Sequence, residues 1–196
     1  MLALARYDVY LLLHVVSATV WLGGGLTLSV LGTRIAKQRD AARMASFARD
    51  AEWIGNHVFV PASALVLVFG FLMIHAGFPS FDQLWIQLGL GLFGVTALTG
   101  SLFLGPQAGK IARLIEQFGE ESAEVQEQIR RVLLVSRLDL LTLYSIVVVM
   151  VAKPTADSPL LFTIWAIVLV VAATLVVMDH RRESRRSPER GAVLAE

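Results

Sequence analysis

His14 lies within the apolar run Val9 to Thr33, VYLLLHVVSATVWLGGGLTLSVLGT, and is the one side chain there that titrates near neutral pH. With Ala18, Trp21, Gly25 and Leu28 it follows the 3, 4, 7 spacing of one helical face. Such a face can hold a flat, apolar, metal-bearing cofactor. His14 would be the axial and metal ligand, Trp21 would share its surface, and Gly24 and Gly25 would leave room for the ring. The same residues also fit a plainer arrangement, in which His14 hydrogen-bonds to Ser17, a neighbouring helix or water and the glycines are ordinary helix contacts.

Three other histidines offer less. His75 could be a second ligand, but at about 1.5 Å per residue it lies roughly 6 to 10 Å nearer the surface than His14, which favours an interfacial position. His57, beside Asn56, could pair with Asp139 or meet lipid headgroups, and His180 belongs to a charged, solvated tail. Arg137 can snorkel to phosphate, whereas Asp139 is too short and needs a partner. Two residues apart, they point to opposite sides of their helix, so Asp139 is expected to face the bundle and bond near Asn56 or His57.

The chain has no cysteine, which excludes disulfides, thiolate metal sites and iron–sulfur clusters. Copper would have to use histidine and methionine; Met73 and His75 are neighbours, but at i, i+2 they diverge. No nucleotide loop, nucleophile elbow or HExxH motif is present, and a net charge of +1 gives no field that favours nucleic acid.

These residues must be positioned by membrane-spanning helices. A hydrophobic fraction of 56% and a mean hydropathy of +0.65 place the chain among polytopic membrane proteins, with lipid as the first partner. The fold class is all-α: five spans, a four-helix core plus a C-terminal fifth, forming one bundle over 1–178. The first span, at roughly 37 Å, exceeds a hydrocarbon core of about 30 Å. It is too long for a cleavable signal and lacks a small-residue cleavage site, so it is expected to stay as an anchor.

Between spans, 34–52 reads as a short basic loop. Pro61 should kink the second span and Pro106 should end the third, whose small residues, such as Ala97 and Ser101, permit close helix approach. Residues 107–118 place Ile111, Leu114, Ile115 and Phe118 on one face, an amphipathic helix at the cytoplasmic membrane surface. Gly119 can end that helix, Ser122 can cap the next, and 179–196 reads as a basic, disordered cytoplasmic tail. Fourteen of the seventeen Lys and Arg fall on one side, which with five spans puts the N-terminus outside and the C-terminus in the cytoplasm.

HVVSATVWLGGGL in the first span, FVPASALVLVFGFLMI in the second, LFLGP after the third and RLDLLTLYSIVVVMVAKP in the fourth resemble the bacterial integral membrane family termed domain of unknown function 2269, over roughly Val9 to Thr155. That family is similar to the copper-resistance D membrane proteins and the HemJ-type protoporphyrinogen oxidases, which share a first-helix histidine followed by tryptophan and glycine, and, in the HemJ type, a Lys-Pro ending the fourth helix. Here these are His14, Trp21, Gly23, Gly24, Lys153 and Pro154. The resemblance implies a bacterial inner-membrane protein with His14 as axial ligand of a b-type haem. LTLSVLGTR lacks the proline and aromatic pattern of HemJ proteins, and the fourth span lacks their Glu-x-Pro segment, so it does not carry the enzyme activity across.

Three functions follow as expectations. The first is binding of haem b or a porphyrin for electron transfer or haem handling. The second is a non-catalytic structural or assembly subunit, in a homo-oligomer or a larger membrane complex; the third is copper transport.

Overall fold

Long apolar segments in lipid satisfy their backbone polar groups internally, and the chain does so as helix throughout. A computed structural model describes residues 2–77, 79–119 and 122–193, excluding the side chains of 2–5, 160–161 and 179–193. The helices are α1 (Leu2–Gln38), α2 (Ala41–Ile54), α3 (Val60–His75), α4 (Leu84–Leu98), α5 (Gly105–Phe118), α6 (Ala123–Ala152) and α7 (Pro159–Val193), with no strand among the described residues. Arg6–Gln38, Ala41–His75, Leu84–Phe118 and Ala123–Ala152 are long and apolar enough to cross a membrane, and Phe162–Met178 is a shorter apolar fifth. The fold is the expected polytopic helical bundle.

Neither proline of the second and third spans ends its helix. Proline gives no N–H to the carbonyl four residues back, and its ring crowds that carbonyl. Here the turn before each proline widens into π-helix, at Gly55–Phe59 and Thr99–Leu104. The Val60 N–H donates to the Gly55 carbonyl and the Gly105 N–H to the Gly100 carbonyl, an i→i−5 register that makes room for the rings of Pro61 and Pro106. In both rods a glycine precedes the proline by six positions, in GNHVFVP and GSLFLGP. Helices α2 and α3 are therefore one rod, and α4 and α5 another.

The basic stretch 34–52 is not a loop. α1 continues to Gln38, Arg39 turns the chain at φ 52°, and the Asp40 carboxylate accepts the Arg43 N–H at 3.0 Å to start α2. The apolar face of α5 is covered by protein. Its Ile111, Ala112 and Ile115 pack on Met44, Ala45 and Ala48 of α2 and on Val125 and Ile129 of α6. This collar joins the basic ends of the rods. Arg49 and Glu116 pair across its rim at 2.6 Å, and the Gln128 amide donates to Gln107 at 2.6 Å. Gly119, at φ 74°, ends α5 as the sequence predicts; Ser122 occupies the cap of α6 without a side-chain cap bond. The backbone of α7 is helical to Val193, across the segment read as a disordered tail; the side chains of that tail, His180 included, lie outside the described residues.

Towards the other end α1 lies along α3 and α4 along α6, and α1 crosses α6. Small residues form the α1–α6 seam: Gly25 faces Leu140 and Leu143, the Ser29 and Ser136 hydroxyls are 3.4 Å apart, and Gly32 faces Leu133. The small residues of α4 do less than expected. Gly91, Gly94 and Gly100 face open space, and Ser101 turns its hydroxyl back to the Ala97 carbonyl at 2.6 Å. α3 and α4 pack little on each other, α3 lying against α1 and α4 against α6, and the functional geometry follows from that gap.

Candidate functional site

Between α3 and α4, the four helices α1, α3, α4 and α6 line a half-open cavity of about 430 Å³. Small-molecule sites typically occupy about 300–1,000 Å³. Trp21 and Phe93, with ring centroids 5.2 Å apart, close its floor on the collar side, and Pro79 and Trp85 line the opposite end. Between them the wall is almost wholly apolar, and His14 is the only titratable side chain on it among the described residues.

Nδ1 of His14 lies 2.8 Å from the Val66 carbonyl on α3. A carbonyl only accepts, so the proton is assigned to Nδ1 and the lone pair to Nε2. Among the described residues Nε2 has no protein partner. Metal-ligating histidines commonly donate their other ring N–H to a backbone carbonyl, which fixes the ring and the tautomer. The neighbouring-helix bond of the plainer arrangement is thus present, and it leaves the second nitrogen available to a ligand. The ring lies against Gly70, where a Cβ would be in ordinary contact with it, 3.5 Å from His14 Cε1.

The structure brings together only part of the expected set. His14 and Trp21 line the cavity, but Gly24 and Gly25 lie below its floor, where added methyls would meet the Phe59 ring and Leu143. At that depth α1 is already packed on the π-turn before α3 and on α6, so these glycines serve helix approach and leave no space for a ring. The glycines on the cavity wall are Gly70, which lies against the His14 ring, and Gly89, which receives the Met150 methyl. His75 is exposed at the end of α3 and does not line the cavity, which removes it as a facing ligand. Met73 and Met150 do line it, and sequence spacing gave no sign that two such distant thioethers share a wall with His14. No group of three or more His, Cys, Asp or Glu among the described residues could hold a metal ion.

The inner polar residues also part company. Asn56 and His57 are exposed; the His57 ring stacks on Trp53 at 4.6 Å and its Nδ1 lies 2.9 Å from the Trp53 carbonyl. Asp139 does not reach them. Its partner is the Thr96 hydroxyl of α4, and its Oδ1 is buried with no hydrogen bond. The reason is topological: α6 packs along α4 at this depth, while α2 and α3 belong to the opposite pair. Arg137 is half-buried on the same helix.

No curated protein and no solved structure matches this chain. Residues 8–154 match the model of the family described as predicted integral membrane protein (DUF2269), which spans the cavity, the collar and all four long helices, and the chain belongs to that family.

Proposed function

We propose that the cavity holds a flat, largely apolar cofactor, a b-type haem or a related porphyrin, with His14 Nε2 as its axial ligand, and that the protein works in electron transfer or haem handling. The observation that carries this reading is the His14 ring, fixed through Nδ1 and presenting a free nitrogen on the wall of an apolar cavity. The residues fit such a group: Trp21 and Phe93 offer aromatic surface below it, and the aliphatic wall excludes water. When bound, the group would supply a one-electron couple. The Val66 carbonyl would hold the imidazole tautomer, and the dry wall would tune the couple through burial. The family resemblance supports the bacterial inner membrane, and the charge asymmetry supports placing the collar on its cytoplasmic side.

The test is the visible spectrum of detergent-purified protein. A Soret band in the wild type, lost in His14→Ala and kept in His57→Ala and His75→Ala, is the expected result. Its absence from the wild type, with partner proteins co-purifying, supports a structural or assembly subunit instead. Copper has one observation in its favour, the Met73 and Met150 thioethers beside His14, since soft sulfur ligands select Cu(I). Metal analysis of protein from copper-supplemented cells decides that reading.

A further inference from the structure

Lys153 follows the last residue of α6 and holds a left-handed backbone, φ 45° and ψ 57°, at a position where glycine is the unstrained choice. That conformation sends its side chain over Trp85, with Nζ 5.3 Å from the ring centroid. Trp85 is itself part of the cavity wall, and Met150 and Val151, just before Lys153, line the same end. No carboxylate pairs with Lys153 among the described residues: Asp82 is engaged by the Ser80 hydroxyl, and Asp157 is exposed and unbridged. Lys153 is itself exposed and outside the cavity lining, so the apolar chamber has an unpaired cation at its mouth, seated on the Trp85 ring that lines it. From Trp85 to Phe93 on α4 the chamber is about 12 Å deep at 1.5 Å per residue.

We infer that the occupant is an amphiphile whose carboxylate faces Lys153 while its apolar body fills the chamber down to Trp21 and Phe93. It enters from the bilayer between α3 and α4. This rests on the porphyrin reading and adds the orientation of that ligand, its carboxylates at the turn between α6 and α7. The recognised chemistry, a carboxylate on an apolar body, is shared by porphyrin acids and fatty acids. An uncharged ester of either lacks the group that Lys153 meets.

The experiment is quenching of tryptophan fluorescence in full-length protein in nanodiscs. Its probes are protoporphyrin IX against its dimethyl ester, and cis-parinaric acid against its methyl ester. In the wild type the acid of at least one pair should bind about tenfold tighter than its ester, the scale of one charge-assisted hydrogen bond at a partly dry site. Lys153→Gln should bring the ratio to about unity while ester binding is unchanged, and Lys153→Arg should keep it, which separates lost charge from lost fold. Equal binding of acid and ester in the wild type overturns the inference. So does a full ratio in Lys153→Gln, or no binding by either acid. A parinaric preference without porphyrin binding sinks the porphyrin reading and leaves the carboxylate end standing; a Soret band without acid preference does the reverse.

Discussion

The two ends of the bundle use the same helices in opposite ways. In the collar, α2, α5 and the start of α6 interlock through small and branched side chains, with Val125 fully buried and Ile111 only 2% exposed. Beyond the π-turns α3 and α4 pack little on each other, and the space between them stays open as a chamber of about 430 Å³. The difference follows from solvent. The collar carries exposed Arg43, Arg49, Lys110 and Glu116, as a surface in water does. Burying Ile111, Ile115 and Ile129 beneath them removes apolar surface at roughly 25 cal/mol per Å², a gain that hydrocarbon does not offer. Inside it, lipid tails are as apolar as leucine, so helices join only where small residues fit closely, as along Gly25, Ser29 and Gly32. The collar ties α2 to α5 and the seam ties α1 to α6, and α3 and α4 are left with little contact between them. Stability is concentrated at one end and binding space at the other.

The comparison breaks most visibly at Ile111. Ile111→Asp places an unpaired charge in the dry collar and should cost on the order of 4 kcal/mol or more, read as loss of the monodisperse peak in size-exclusion chromatography. Ile111→Ala should cost about 2–5 kcal/mol by leaving a cavity in packed surroundings. Ile146→Ala, on the chamber wall, removes the same atoms from a place that is already open and should cost less than about 1 kcal/mol. Equal falls in thermal midpoint for the two alanine variants would refute the division between ends.

Next in size is Thr96→Val. Among the described residues the hydroxyl of Thr96, a residue 2% exposed, is the one hydrogen-bond partner of Asp139. Removing it strands a buried carboxyl and should cost about 1–3 kcal/mol. The double variant Thr96→Val with Asp139→Leu removes both halves of the pair and should recover most of the loss, whereas a purely steric role for Thr96 predicts no recovery.

Much of the architecture was legible because lipid exposure is written directly in composition: Val151, 79% exposed, and Leu102, 72% exposed, mark apolar faces of the kind a bilayer accommodates. The amphipathic face of α5 was legible too, but what covers it was not, since Met44 and Ala48 lie more than sixty positions away. The helical apolar spacing of Met44 and Phe47 was visible in 34–52 and was the signal for α2, but the five basic residues of the segment outweighed it in the loop reading. Local proline rules misled because they assume an i→i−4 helix; the glycine six positions before each proline marks the wider turn. At the site, the depth of His14 was informative, whereas its partner was hidden: every residue carries a carbonyl, and nothing local singles out Val66. The run Gly23 to Gly25 drew attention by its density, yet the glycines on the chamber wall are the isolated Gly70 and Gly89.

Gly89→Ala has the smallest expected effect on stability and the sharpest bearing on the chamber. A methyl there meets the end of the Met150 side chain, not backbone, so the clash is relieved by rotating a flexible thioether. That rotation costs little, and alanine in a helix gains about 0.5–1 kcal/mol over glycine, so stability should change by less than about 1 kcal/mol in either direction, read from the thermal midpoint. The displaced methyl has the chamber to move into, because Met150 already lines it. Ligand binding should therefore weaken while stability holds, and Gly89→Ala with Met150→Ala should restore binding by removing the displaced side chain. If binding falls only in proportion to stability, the open end is part of the packed scaffold and the two ends do not differ in kind.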